Sequence, residues 1–221
     1  MTSEDVGLRC FVGVPIGEAL RDELAAAVEA VREGIPTDYD ALRWTDPTGW
    51  HLTLAFLGSV LPDAVEAMVA SLERVAANHA PFVVPTAGLG AFPSRRDVRV
   101  LWYGLVDRSR RLAELAVATR EAAGVDRSAP FRAHLTLARS IGERGVALPS
   151  ALWKAPMPSG EVHVDRLVLY RSHLSGGPAH YESMAEAKLG GALGGRSPGP
   201  PAESLAVVPP ESASEPGAGA N

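Results

Sequence analysis

The string His51-Leu52-Thr53-Leu54 occurs a second time as His134-Leu135-Thr136-Leu137. Each copy sets a histidine two residues before a threonine. Alternate residues of a β-strand share a face, so each copy presents an imidazole beside a hydroxyl, with its leucines directed into a packed interior. A shuffled chain of this composition would contain the string on the order of 0.003 times, which makes two chance copies implausible. Facing strands of this kind place two imidazoles and two hydroxyls around one cleft. With an ordinary pKa near 6.5, one histidine serves as base while the other serves as acid. The hydroxyls hold phosphate oxygens as charge grows on them. That is a set of groups for acid–base chemistry on a phosphate ester without a metal.

Other chemistries fit less well. Zinc asks for three or four His, Cys or carboxylate ligands, whereas the i±2 neighbours of the two histidines are Gly49, Thr53, Arg132 and Thr136. No G-x-S-x-G elbow, P-loop or G-x-G-x-x-G is present. No metal and no cofactor are therefore expected. Arg139 closes the second motif strand. Its guanidinium could take a phosphate in a bidentate grip, although strict alternation turns it away from His134. His79 reads as an exposed helix end, and His163, His173 and His180 as surface or structural groups on or beside the last strands.

The rest of the chain must position these groups. Its 221 residues, 46% of them hydrophobic, suffice for one large domain or two lobes. No apolar run is long enough to span a membrane. The N-terminus carries Glu4 and Asp5 and lacks a basic leader. Cys10, the lone cysteine, lies in an apolar strand and reads as a buried thiol, so a reducing cytoplasmic setting is expected. A net charge of −5 argues against a broad grip on duplex nucleic acid.

A buried strand is expected over Leu8 to Val14, then a helix with Leu20, Leu24, Val28 and Val31 on its buried face. After a loop containing Arg43 and Trp44 comes the first motif strand, closed by Gly58. A helix follows with Val65, Met68, Leu72 and Val75 inward, then a strand from Phe82 to Leu89 and a loop from Gly90 to Arg96. The order then repeats. A strand spans Val98 to Val106, a helix capped by Ser109 carries Leu112, Leu115, Ala116 and Thr119 inward, and the second motif strand runs from Phe131 to Ser140. The motifs stand 83 positions apart (134 minus 51), as an internal duplication would leave them. Two last strands, Val162 to Tyr170 and His180 to Glu186, flank a turn at Ser175 to Pro178. Residues 190–221 are rich in Gly, Pro, Ser and Ala, and are expected to form a disordered tail beyond a 1–189 domain. Arg95, Arg96 and Arg99 read equally as a guide for a nucleic-acid strand or as a solvated hairpin.

The paired motifs resemble those of the two-histidine phosphoesterases, in particular the RNA 2′,3′-cyclic phosphodiesterase (2′-5′ RNA ligase-like) branch. The likeness spans about residues 8 to 188. It also takes in Arg43-Trp44, Gly88 to Pro93, Pro130 to Ala133, Ala138-Arg139 and Leu169 to Ser172. It implies an α+β fold of two pseudosymmetric lobes, with antiparallel sheets lining a central cleft and helices outside. It implies metal-independent hydrolysis of an RNA terminal 2′,3′-cyclic phosphate, or of a cyclic nucleotide, to a 2′-phosphomonoester, with 2′-5′ joining as the reverse reaction. His51 would be the proton donor and His134 the proton acceptor, with Thr53, Thr136 and Arg139 on the phosphate, although pseudosymmetry permits the reverse assignment of the histidines. A monomer is expected. The competing reading is a module that binds phosphorylated RNA ends or nucleotides without turnover.

Overall fold

The computed structural model describes residues 7–35, 41–126, 128, 130–142, 144–173 and 180–191. The expected turn at Ser175 to Pro178 and the tail beyond Gly191 lie outside the described residues. In chain order the elements are β1 (Leu8–Pro15), α1 (Glu18–Glu33), β2 (Leu42–Trp44), β3 (His51–Val60), α2 (Val65–Ala77) and β4 (Phe82–Ser94). They continue with β5 (Asp97–Leu105), α3 (Arg111–Ala122), β6 (His134–Ser140), β7 (Glu161–Val164), β8 (Arg166–His173) and β9 (His180–Lys188).

The apolar spacing of the helices decides their buried faces. Leu20, Leu24, Val28 and Val31 are buried in α1, Met68, Leu72 and Val75 in α2, and Leu112, Leu115, Ala116 and Thr119 in α3. These stripes share one core with Leu52, Leu54, Leu135 and Leu137 of the motif strands. Burying a leucine of this kind contributes about 1.5–3 kcal/mol. Cys10 is buried as expected, 2% exposed. No helix among the described residues is long and apolar enough to cross a membrane.

The nine strands form one antiparallel sheet in the order β7-β4-β5-β6-β3-β1-β8-β9, with β2 alongside β6. The two expected lobes are its two halves, β7-β4-β5-β6 and β3-β1-β8-β9. They join where β3 meets β6 through one residue pair, Leu52 with Leu135. These leucines hold the same place in the two motifs, so the pseudo-two-fold passes between them. The halves exchange strands. β4 follows the first motif in sequence yet pairs with β5, and β8 follows the second yet pairs with β1.

Several boundaries differ from the sequence expectations. Gly90 to Ser94 extends β4 as strand instead of opening a loop, and only Arg95 and Arg96 turn the hairpin. Phe131 to Ala133 precede β6 without joining it, although the Ala133 carbonyl accepts the Leu105 N–H at 3.2 Å. The strand expected from Val162 to Tyr170 breaks at Asp165 into β7, which pairs with β4, and β8, which pairs with β1. At α3 it is the Asp107 carboxylate, not Ser109, that accepts a first-turn N–H, from Ala113 at 2.9 Å.

Candidate active site

Antiparallel pairing about Leu52 and Leu135 sets the frame of the site. Extending that register by one residue each way puts His51 across from Thr136 and Thr53 across from His134. The two histidines are then diagonal neighbours, and such positions stand about 7–8 Å apart in an antiparallel pair. A tetrahedral phosphate fits between groups at that spacing. A cleft of about 390 Å³ is lined by Thr53, Phe56, Phe131, His134, Thr136 and Arg139 among others, while His51 lies outside that lining.

Each imidazole is held by its own strand's lead-in. His51 Nδ1–H donates to the Gly49 carbonyl at 2.7 Å, and His134 Nδ1–H donates to the Arg132 carbonyl at 2.7 Å. A carbonyl only accepts, so the proton of each neutral ring sits on Nδ1. Nε2 of both rings is left for proton transfer. Neither threonine hydroxyl, Thr53 or Thr136, has a protein hydrogen-bond partner among the described residues. The strand alternation inferred from H-x-T is therefore observed at both motifs.

Arg139 corrects that alternation. Across β6, Leu101 pairs with Ala138 and Trp102 with Thr136, so Leu137 is an extra residue, a β-bulge. Leu137 and Ala138 are both fully buried, and the next side chain swings back to the cleft face. Arg139 consequently lines the cleft with His134 instead of facing away, and its charge disfavours protonation of both histidines. No ion pair occupies its guanidinium among the described residues. The first motif has the same break. Gly13 pairs with Thr53 and Val12 with Ala55, leaving Leu54 extra. The residue turned into the cleft there is Phe56, 67% exposed. Phe56 and Arg139 each stand five places after their histidine, a correspondence that aligning the two copies would have exposed.

The surroundings of the two rings differ. His51 stacks on Phe11 at 4.5 Å between centroids and meets Tyr181 edge-on at 5.0 Å, with Tyr170 at 5.5 Å. Gly13 makes this fit possible, because a Cβ there would lie 2.9 Å from the Leu52 carbonyl and 3.2 Å from the His51 ring. Burial pushes the His51 pKa down to about 4, against the opposing pull of the Gly49 carbonyl and with help from the charges of Arg139 and His134. His134 meets Phe92 edge-on at 5.0 Å and Trp102 at 6.2 Å. Its pKa is also lowered, by burial first, although it lies nearer to solvent. Burial likewise raises the Tyr170 hydroxyl to about 12, so it stays protonated.

Other candidates fall away. His79 is half-buried instead of exposed, and its Nδ1–H donates to the Val75 carbonyl at 2.7 Å. His173 pairs with Glu182 at 2.8 Å on the outer hairpin. Arg95 donates to the Leu89 carbonyl and lies 4.9 Å over the Trp153 ring, so it is fastened to the hairpin. No group of three or more potential metal ligands forms among the described residues. The aromatic surround from Phe11 and Tyr181 escaped sequence reasoning, because it is assembled from strands far apart in the chain.

The family description "LigT like Phosphoesterase" matches residues 15–102. A protein of Geobacillus stearothermophilus named RNA 2′,3′-cyclic phosphodiesterase is 33% identical over 192 residues, covering 85% of this chain and 59% of its own length. A Bacillus subtilis (strain 168) protein of the same name is 31% identical over 185 residues, covering 80% of this chain and 95% of its own length. This chain thus spans about three fifths of the first relative and nearly all of the second. Among solved structures, a protein of Thermus thermophilus superposes with a TM-score of 0.64 at 26% identity, covering 84% of this chain and 100% of its own. LigT of E. coli in its apo form gives 0.62 at 24% identity, covering 83% and 98%, and supports the fold.

Proposed function

The chain belongs to the LigT-like phosphoesterase family, and from that premise we propose that it hydrolyses RNA 2′,3′-cyclic phosphate ends to 2′-phosphomonoesters. One observation carries the mechanism. Two imidazoles, each with its Nδ1 proton committed to a backbone carbonyl, keep Nε2 free on diagonal positions of one strand pair.

The cyclic phosphate sits between the rings, with its non-bridging oxygens on the hydroxyls of Thr53 and Thr136 and on the guanidinium of Arg139. His134 Nε2 takes a proton from water, whose oxygen attacks phosphorus. The P–O3′ bond breaks, and His51 donates its Nε2 proton to the departing O3′. The product carries its phosphate on O2′. The environments suit this division. His51 lies in its aromatic well with its pKa pushed down to about 4, which makes it a strong acid once protonated, and His134 lies nearer to the water it would activate. The negative charge of the bound phosphate favours protonation of His51. With a 5′-hydroxyl in place of water as the nucleophile, the same steps, attack on phosphorus and P–O3′ cleavage, join two ends through a 2′-5′ linkage.

The test is turnover of a 2′,3′-cyclic mononucleotide and of an oligoribonucleotide with a cyclic phosphate end, both in excess EDTA. Hydrolysis is expected for the wild type. Each of His51→Ala and His134→Ala should lose about 10²- to 10⁴-fold in kcat. Undiminished hydrolysis by both variants would overturn the mechanism. Tight binding of the wild type to the oligonucleotide with no product after long incubation would favour a binding module.

A further inference from the structure

The two motif strands share one ladder pair, which does little to fix how His51 stands against Thr136 and Arg139. A second connection lies just upstream. β2 pairs Leu42, Arg43 and Trp44 with Ser140, Arg139 and Ala138. Thr45 continues where that ladder ends. Its N–H donates to the Leu137 carbonyl at 2.9 Å. Its hydroxyl lies 2.9 Å from both the Thr136 and the Leu137 carbonyl oxygens. That hydroxyl also accepts the indole N–H of Trp50 at 2.8 Å.

Each of these partners matters to the site. Thr136 and Leu137 form the bulge that turns Arg139 into the cleft. A bulge leaves backbone groups without ladder partners, and such groups need another donor or acceptor. Trp50 is buried, 5% exposed, and immediately precedes His51. Between Thr45 and His51 the chain makes a tight turn, with Asp46 accepting from the Thr48 N–H at 2.8 Å. Gly49 in that turn supplies the carbonyl that holds the His51 ring. One hydroxyl thus connects the turn that orients one histidine to the bulge that aims the arginine of the other half. The first bulge is braced in a related way, since Arg120 Nε on α3 donates to the Leu54 carbonyl at 3.0 Å.

We propose that Thr45 is a positioning residue for the reaction: its hydroxyl links the Trp50–His51 segment to the Thr136–Leu137 bulge and so sets the two half-sites against each other. The proposal rests on the reading of His51, His134 and Arg139 given above. Thr45 itself lines no part of the cleft. A displacement of about 1 Å in reacting groups lowers rates about a hundredfold.

Thr45→Val keeps the shape and deletes the donor, and Thr45→Ser keeps the donor. With a 2′,3′-cyclic mononucleotide in EDTA, Thr45→Val should lose about ten- to a hundredfold in kcat, with the smaller change in KM. Thr45→Ser should stay within about threefold of wild type on the same reasoning. Should Thr45→Val not fold, Trp50→Phe carries the test, with a loss of kcat in the same direction but smaller. The double variant should be no slower than Thr45→Val, because both act through one chain of bonds. A folded Thr45→Val with wild-type kcat overturns the proposal, as does a Thr45→Ser as impaired as the valine. If His51→Ala and His134→Ala remain active, the mechanism fails first and takes this proposal with it.

Discussion

The two halves of the active site share a backbone and differ in what surrounds it. His51 lies in a well of Phe11, Tyr170 and Tyr181, whereas His134 touches Phe92 and Trp102 closer to solvent. Both rings give Nδ1–H to a carbonyl two residues earlier, and both strands bulge at the residue three places after the histidine. At the next matched position the halves part again, with Phe56 on one side and Arg139 on the other. A duplicated scaffold therefore supplies two equivalent nitrogens, and the neighbouring side chains give them unequal surroundings. Burial lowers the proton affinity of both rings, and Arg139 lines the cleft in one half where Phe56 lines it in the other.

The largest test of this division removes the difference in charge. Arg139→Phe, which gives β6 the side chain that β3 carries, should lower kcat/KM by about 10³-fold. Phe56→Arg in that background should not restore it if the cation is needed beside His134. Recovery to near wild type would mean that the halves are interchangeable. Next come the hydroxyls. Thr53→Val and Thr136→Val should each cost about 10²-fold in kcat, as loss of a transition-state donor does. Serine at either place should act as a modest substitute, and a valine variant of full activity would remove that threonine from the mechanism.

The third test reads the difference in burial. Imidazole NMR titration should find His51 neutral down to about pH 4, with His134 also protonating below its ordinary range. The folded-state pKa of His51 lies below its unfolded value, so the unfolded chain binds the proton more readily. The associated stability is complete above about pH 6.5 and is lost as pH falls toward about 4. It amounts to about 3 kcal/mol. Urea unfolding at pH 7 and pH 4.5 should show this loss in the wild type and a smaller one in His51→Gln. Equal losses would mean that His51 is not the group responsible. The smallest effect is expected from Tyr181→Ala, which opens one wall of the well. The His51 pKa should rise toward its ordinary value while that of His134 stays in place.

Much of this was legible in the residues. Four-residue apolar spacing located α1 and its buried stripe, and the H-L-T-L alternation correctly set the leucines inward and the histidines and threonines on one face. The orientation of Arg139 was not legible. Alternation is a local rule, and a bulge breaks it without altering composition. Two successive buried residues, Leu137-Ala138 and Leu54-Ala55, were the available sign, because a strand with one wet face seldom buries neighbours. The well around His51 could not be read either, since Phe11, Tyr170 and Tyr181 are brought together only by the strand order β3-β1-β8-β9.

That strand order also bears on how the protein is made. A ribosome delivers β1 and β3 early, yet β8, the partner on the far edge of β1, comes about 150 residues later. Until it emerges, an apolar strand edge stands bare, the kind of edge on which nascent chains aggregate. His51 does not acquire its finished surroundings until Tyr181 of β9 has been made, whereas the neighbours of His134 are all in place by β6, so the two half-sites mature at different times.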